Sequence, residues 1–422
     1  MSDTARPASE LASPIGLAMA GGAPGGAIYE IGAMRALDEA LIGLDLRDCG
    51  SFVGVSAGAF LTSCLANGLS TKQQVRAIVK AEPGEHPFIP EMFFKPALDE
   101  IGGRLLRAPK LLGGALRDFV LRRERRLADA LTVLGQAVPV ALFDNDPIRE
   151  YVSKIFSIKG RTDDFTQLPR KLTVVTTDLE SGESMLFGHL GWPYVPISKA
   201  VQASTALPGL YPPVEIDGRS YVDGVLLKTM HASVPLEAGA KLVFCINPLV
   251  PVDTRAAIQQ NVLPPGQIRR QGLPSVLSQT VRTLIHSRMV LGMRAYQNRF
   301  PDADVVLIEP RRDDYEDFFS NIFSFSSRAA VVERAYHDTR RSLAARAETL
   351  QPILARYEIE LDMEFLADPE RDLWTGVGLP EMSTRNGRSG PKREEEKAEV
   401  VVGELEHLLE RVERLAAERS TA

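Results

Sequence analysis

The sequence predicts an α/β fold whose mainly parallel central sheet is flanked by helices on both faces. A short apolar run at residues 15–20 leads into the glycine-rich stretch GGAPGG, and apolar residues at helical spacing follow it. A second short apolar run, around Phe52 and Val53, leads into GVSAG, and another predicted helix follows. Two strand–loop–helix units in succession are typical of the start of a parallel sheet.

Apolar runs, turn residues and helix caps predict the remaining elements. The Asp217-Gly218 pair suits a type I′ turn, so residues 214–216 and 220–222 are predicted to form a hairpin. A helix over residues 144–156 should have Asp146 as its N-cap and Pro147 in its first position. Further strands are predicted at residues 171–178, 240–247 and 302–310, and further helices at 27–41, 59–68, 274–299 and 328–358.

Composition and charge limit the classes of function. The chain has 422 residues, 44% hydrophobic and 25% charged, as in a globular protein with a sizeable core. Its formal net charge of −6 argues against a protein that coats nucleic acid. The cysteines Cys49, Cys64 and Cys245 form no Cys-x-x-Cys pair, which argues against a disulfide framework or a zinc site. Without an apolar leader or an apolar run of ~18 residues, we expect a cytoplasmic protein that meets a membrane only at its surface.

Ser56 lies in GVSAG, a match to the G-x-S-x-G pattern of a nucleophile elbow. In such an elbow the serine takes a strained conformation between a strand and a helix, and Gly54 and Gly58 let the turn close. The free N–H groups at the start of the next helix then point at the site. The alternative interpretation is that Ser56 only caps that helix.

The glycine-rich loop at residues 21–26 is a candidate oxyanion hole, because acyl transfer needs donors aimed at the developing negative charge. The N–H groups of Gly21, Gly22 and Ala23 can donate, and so can that of Ala57 beside the serine. Two alternatives are a dinucleotide site, which the missing G-x-G-x-x-G spacing disfavours, and tight helix–sheet packing alone.

A serine nucleophile needs a base, and two residue types are candidates. The six histidines are His86, His189, His231, His286, His337 and His407, of which His231 is the best placed. The alternative is Asp223, which ends the second strand of the predicted hairpin and precedes Gly224. Burial would raise its pKa towards neutrality and make it a base, although an Asp-Gly pair is also a common turn.

In this order, GGAPGG, GVSAG and DGV resemble the three motifs of the patatin-like phospholipase family. The stretches AIYEIGAMRAL, TTDLESGE and ASTALPGLYPPVEIDGRSYVDG agree as well. The resemblance covers a domain at residues 14–375, with its core at 14–310 and a helical C-terminal part at 311–375, after a disordered lead at 1–13.

The resemblance implies a serine lipid acyl hydrolase, phospholipase A-like, that cleaves acyl esters of glycero(phospho)lipids without a metal or organic cofactor. It makes Ser56 the nucleophile and Asp223 the base of a dyad that needs no histidine. Gly21, Gly22 and Ala23 would supply the oxyanion hole. The motif glycines with structural roles are Gly25, Gly26, Gly54, Gly58 and Gly224.

Three residues depart from the family pattern. Ala23 replaces the third loop glycine, and Gly25 stands where the family has Arg or Lys. Val225 replaces a small residue after Asp223-Gly224, which we expect to alter packing rather than the base. The altered loop keeps two alternatives open: a catalytically silent lipid-binding or scaffold protein on the same fold, and a generic esterase or thioesterase.

Three segments are candidates for contacts outside the site. Residues 104–126 mix arginines with leucines, as in a helix that lies on an anionic membrane, or in a helix pair packed on the core. Residues 268–294 are a second candidate of this kind. After a polar linker at 376–397, an amphipathic helix is predicted at 398–418, either docked on the chain or self-associating. Its apolar positions are Ala398, Val401, Leu405, Leu408, Val412 and Leu415.

Overall fold

An eight-stranded sheet dominates the computed structural model, which describes residues 13–77, 95–97, 140–188, 192, 194–228, 230–315 and 325–380. Its strands are β1 Ile15–Met19, β3 Ser51–Val55, β4 Lys171–Asp178, β5 Ser184–Phe187, β6 Val214–Ile216, β7 Arg219–Asp223, β8 Leu242–Ile246 and β9 Asp304–Ile308. A separate two-stranded sheet pairs β2 Leu41–Ile42 with β10 Glu360–Leu361.

The strand order is β6-β7-β4-β3-β1-β8-β9, with β5 paired to β4. The central strands β4, β3, β1, β8 and β9 run parallel to one another, and β5, β7 and β6 are antiparallel to their neighbours. The predicted α/β class with a mainly parallel sheet is therefore confirmed. The carboxyl ends of β1, β3 and β8 meet at one edge, where open α/β sheets place their sites.

The larger helices are α1 Ala23–Ala40, α2 Ala57–Ala66, α4 Asp146–Phe156, α5 Ile197–Ser204, α9 Leu273–Arg299, α10 Phe325–Ala345 and α11 Ala347–Ala355. Shorter ones are α3 Thr71–Val75, α6 Ser233–Glu237, α7 Arg255–Gln259, α8 Gln267–Arg270, α12 Met363–Ala367 and α13 Leu373–Val377. Gly224–Leu226 forms a single 3₁₀ turn directly after β7.

Helices cover both faces of the sheet because successive strand residues point to opposite sides. Leu17 of β1 and Phe244 of β8 contribute to a large core cluster with α1, α2, α4, α5 and α10. Their neighbours Ala18 and Cys245 contribute to a second cluster on the other face, which also holds α6 and α9. The three cysteines are buried and unpaired.

Several element boundaries differ from the sequence prediction. Helix α1 begins at Ala23, four residues before the predicted start, so Gly25 and Gly26 lie in its first turn. The N-cap of α4 is Asn145 and not Asp146, because Asp146 already has helical geometry. Strand β5 was not predicted, since SMLF carries no alternation that separates it from a loop. The predicted hairpin turn is present, with positive φ at both Asp217 (52°) and Gly218 (74°).

The predicted polar linker begins too early. Helix α13 and the residues after it pack on the body, with Trp374, Val377 and Leu379 buried, so the folded part reaches residue 380. Trp374 joins the large core cluster, which explains why this segment is held in place. The predicted lead at 1–13 (apart from Ser13), the segment 104–126 and the helix at 398–418 lie outside the described residues.

Candidate active site

Ser56 takes the strained conformation expected of a nucleophile elbow. It lies between β3 and α2 with φ 53° and ψ −121°, a region that non-glycine residues rarely enter. A Cβ placed on Gly58 would lie 2.5 Å from the carbonyl oxygen of Ala20, so the turn requires glycine there. Ser56 occupies the N-cap position of α2, yet its side chain makes no capping hydrogen bond. The hydroxyl is therefore not used to cap the helix.

A buried serine that the sequence analysis missed holds the elbow in place. The backbone N–H of Ser56 donates to Oγ of Ser204 at 2.8 Å, and Ser204 Oγ donates to the carbonyl oxygen of Val175 at 2.6 Å. Ser204 ends α5 and is fully buried. Nothing in the sequence distinguishes it from the other serines, because its role depends on where α5 crosses β4.

Asp223 is the last residue of β7 and is 2% exposed. Burial raises the pKa of its carboxyl to about 7, although side-chain hydrogen bonding from Ser56 and the N–H of Val225 lower it in part. The Val225 N–H lies 2.9 Å from Asp223 Oδ1. The backbone N–H of Asp223 donates to the carbonyl oxygen of Ala206 at 3.0 Å. Its own carbonyl oxygen accepts from Oγ1 of Thr177 at 3.1 Å. The Ser56 hydroxyl thus lies close enough to the Asp223 carboxyl to lower its pKa, so the two residues predicted as a dyad are neighbours.

Sheet register explains why residues so distant in sequence meet. Val55 pairs with Val175 on one side of β4, and Asp223 pairs with the next residue, Thr176, on the other side. Ser56 follows Val55, so both side chains leave the sheet over the same point of β4. Gly224 makes room for this, since a Cβ there would lie 2.6 Å from Val175 O.

The glycine-rich segment lies directly beside Ser56. A Cβ on Gly21 would lie 2.7 Å from Cβ of Ser56, and a Cβ on Gly22 would lie 2.6 Å from the ring of Pro248. Gly26 N–H donates to Gly22 O at 2.9 Å and closes the first turn of α1. The N–H groups at the start of a helix have no acceptor within it, which leaves those of Ala23 and, in α2, Ala57 without an intrahelical partner.

His231 does not take part in this arrangement. The described neighbours that lower the pKa of the Asp223 carboxyl are Ser56 and Val225, and His231 is not among them. Burial lowers the pKa of His231 to about 3, so its imidazole stays neutral at physiological pH, and its Nε2 has no partner among the described residues. His286 and His337 lie in α9 and α10, and the other histidines, His86, His189 and His407, lie outside the described residues.

Within the described ranges, no group of three His, Cys, Asp or Glu side chains is arranged to hold a metal ion. The described helices include none that is long and apolar enough to cross a membrane.

The fold is an α/β fold with a mainly parallel sheet. It carries a serine at a strained strand–helix turn and a buried carboxyl beside that serine. The chain belongs to the patatin-like phospholipase family, whose sequence model matches residues 17–237, slightly more than half of the chain. The matched region contains the glycine-rich loop, Ser56 and Asp223. At the family level, this membership supports a lipid acyl hydrolase.

The individual relatives are distant. Uncharacterized NTE family proteins of Mycobacterium tuberculosis and Mycobacterium bovis are 28% identical over 196 residues, which is 42% of this chain and 33% of theirs. Others from the same two species are 35% identical over 81 residues, 19% of this chain and 21% of theirs. The match therefore spans a third or less of these relatives. The crystal structure of VipD from Legionella pneumophila aligns at 15% identity over 78% of this chain and 66% of that chain, with a TM-score of 0.34.

Proposed function

We propose that the protein is a serine lipid acyl hydrolase that cleaves acyl esters of glycerolipids or glycerophospholipids through a Ser56–Asp223 dyad. The observation that supports this most strongly is that a serine at a strained elbow neighbours a buried aspartate whose pKa burial raises to about 7. A base works best when its pKa is close to the working pH, because it is then both available and able to hold a proton.

In the first half-reaction, Oγ of Ser56 attacks the carbonyl carbon of the ester while Asp223 accepts the hydroxyl proton. The resulting tetrahedral oxyanion is stabilised by the N–H groups of Gly21, Gly22, Ala23 and Ala57. Collapse of this intermediate breaks the bond to the alcohol oxygen, which takes the proton from Asp223. The lysolipid or alcohol leaves, and the acyl group stays on Ser56 as an ester.

In the second half-reaction, water replaces the alcohol. Asp223, again ionised, takes a proton from water while the water oxygen attacks the carbonyl carbon of the acyl-enzyme. The second intermediate collapses with Ser56 Oγ as the leaving group, and Asp223 returns the proton to it. The products are the free fatty acid and the original dyad, so atoms and charges balance.

The contact from the Val225 N–H gives Asp223 a fixed orientation during both steps. With Oδ1 held at 2.9 Å by this N–H, the carboxyl cannot rotate freely between turnovers. Because the donor is the main-chain N–H of residue 225, the change from a small residue to Val225 leaves this hydrogen bond intact. Val225 is buried and its Cβ lies 3.5 Å from the position of a Cβ on Gly21, so its side chain packs against the loop.

The replacement of the family's loop cation by Gly25 motivates the alternative, a catalytically silent lipid-binding protein on the same fold.

The test is product analysis by mass spectrometry after incubation with phospholipid or triacylglycerol. We expect free fatty acid from the wild type and from His231→Gln, and none from folded Ser56→Ala or Asp223→Asn. Lipid binding without fatty-acid release by the wild type would favour the silent alternative. Preference for short acyl chains or thioesters would favour a generic esterase or thioesterase.

A further inference from the structure

Within the part of the chain that the structure describes, helix α9 has its buried side chains along one side. Its buried residues are Ile285, Met289 and Tyr296, which pack in the second core cluster. They are spaced four and seven residues apart, so they lie on one side of the helix. The helix crosses the face of the sheet that also carries α6.

A row of exposed apolar residues follows the neighbouring side of α9, and we call it the leucine stripe. Its spacing of four, four, three and seven residues places all its members on one side, about 100° around the helix from the buried side. A single exposed leucine is ordinary, but a row along about five turns marks a surface that contacts something. The members and their exposed fractions are Leu273 (68%), Leu277 (52%), Val281 (40%), Leu284 (62%) and Leu291 (63%).

The sequence around the leucine stripe carries cationic side chains, of which Arg255 and Arg299 form ion pairs with Asp253 and Glu237. Residues 255–301 contain seven arginines and no Asp, Glu or Lys, in a chain whose net charge is −6. Within the described residues, Arg269, Arg270 and Arg294 are exposed and make no ion pair. Such a separation of charge from the rest of the chain produces a locally positive surface that attracts anions.

Two arginines of helix α9 donate hydrogen bonds to the segments on either side of Ser56. Arg288 donates to the carbonyl oxygen of Leu226, at the end of the turn that follows Asp223, at 3.4 Å. Arg282 donates to the carbonyl oxygen of Pro248 at 3.3 Å, and Pro248 in turn packs against Gly22 and Gly26. Leu226 is itself 41% exposed, which adds an apolar residue on the site side of the helix.

We propose that the leucine stripe of α9 and the arginines beside it dock this protein on an anionic lipid bilayer, next to the candidate active site. An amphipathic helix with leucines on one side and arginines around them is suited to the boundary between acyl chains and anionic head groups. Charge complementarity favours this occupant over a second copy of the chain, whose same surface is also positive. The proposal rests on the second predicted segment, residues 268–294, and the expected contact at residues 104–126 stays a prediction outside the described residues.

The proposal concerns binding, and it is tested with vesicles that the proposed hydrolysis cannot alter. Full-length protein is sedimented with vesicles of ether-linked phosphatidylglycerol and phosphatidylcholine in equal amounts, or of ether-linked phosphatidylcholine alone. We expect binding to the anionic vesicles to be at least about tenfold tighter, and to weaken as salt rises from about 0.05 M to about 0.5 M. Equal binding to both vesicles would overturn the proposal.

Two sets of variants locate the binding surface. The triple change Leu277→Ser, Leu284→Ser and Leu291→Ser should weaken binding by at least about tenfold, since each leucine that enters lipid contributes on the order of a factor of ten. The changes Arg269→Gln, Arg270→Gln and Arg294→Gln should weaken binding to anionic vesicles and reduce its salt dependence.

Matched controls remove similar groups far from α9. Ile42→Ser replaces an apolar residue that is 53% exposed, and Lys154→Gln with Lys159→Gln removes two exposed cations. These controls should bind as the wild type does. The proposal fails if the controls lose binding equally, if the leucine variant binds normally, or if light scattering shows that the leucine variant instead dissociates an oligomer.

Discussion

Replacing Asp223 with asparagine should stabilise the folded protein at pH 8 while it abolishes hydrolysis. The cause is the buried carboxyl, whose pKa burial raises to about 7 in the folded state. The unfolded chain leaves this carboxyl in water, so there its pKa is about 3.9. The folded wild type is therefore less stable when Asp223 is ionised, because burial disfavours the carboxylate.

The size of the effect follows from the two pKa values. As pH rises above about 4, the unfolded state gives up its proton while the folded state keeps it, so the free energy of unfolding falls by about 1.4 kcal/mol per pH unit. The fall ends near the folded pKa of about 7. Between pH 5 and pH 8 the wild type should lose about 2–3 kcal/mol, with a total of about 4 kcal/mol above pH 7. Asparagine does not titrate, so its variant lacks this loss.

The assay is urea unfolding of wild type and Asp223→Asn at pH 5, 6, 7 and 8, with the variant's advantage in free energy plotted against pH. Asp178→Asn is the matched control, because Asp178 is a buried aspartate that ends β4. There, burial would raise the pKa, but hydrogen bonds from the N–H groups of Glu180 and Ser181 and the charge of Arg219 hold it below the ordinary value. The contribution of the Asp178 carboxylate to the free energy of unfolding should be constant between pH 5 and pH 8. It should stabilise the folded protein, whereas the carboxylate of Asp223 destabilises it. A pH-independent difference for Asp223→Asn would refute the raised pKa.

Four further predictions test other parts of the structure. The pH profile of kcat/KM should rise through a pKa near 7, because only ionised Asp223 can accept the proton of Ser56. Ser204→Ala should cost about 1–3 kcal/mol in urea unfolding and lower kcat, since it leaves the N–H of Ser56 without its acceptor. Gly58→Ala should cost about 1–3 kcal/mol or prevent folding, as its Cβ would overlap Ala20 O. Glu30→Gln should raise the Tm more at pH 8 than at pH 4. Glu30 is fully buried, and its carboxyl oxygens have no partner among the described residues. Burial raises the pKa of Glu30, so the wild type loses stability as pH rises.

The sequence predicted the parts of the fold that local patterns specify. Buried parallel strands are short apolar runs, and Gly54, Gly58 and Gly224 stand where the backbone comes too close to neighbours for a side chain. The type I′ turn at Asp217-Gly218 was also readable, because both positions need positive φ.

Other features depend on tertiary contacts and were not readable. Ser204 supports the elbow only because α5 ends over β4, and Pro248 supports the glycine-rich loop only because β8 lies next to β1. The start of α1 at Ala23 was missed because glycines normally discourage a helix, yet here Gly22 and Gly26 allow the first turn to pass Pro248. The pKa of Asp223 likewise follows from burial, which no residue pattern reports.

Labelling by a fluorophosphonate probe tests the central claim most directly, because the probe reacts with a serine only when a base activates it. Peptide mass spectrometry should find the adduct on Ser56 in the wild type and in His231→Gln, at a rate that rises with pH around 7. Folded Asp223→Asn should not be labelled. An adduct on another serine, or labelling of Ser56 that persists without Asp223 and stops without His231, would contradict the Ser56–Asp223 dyad.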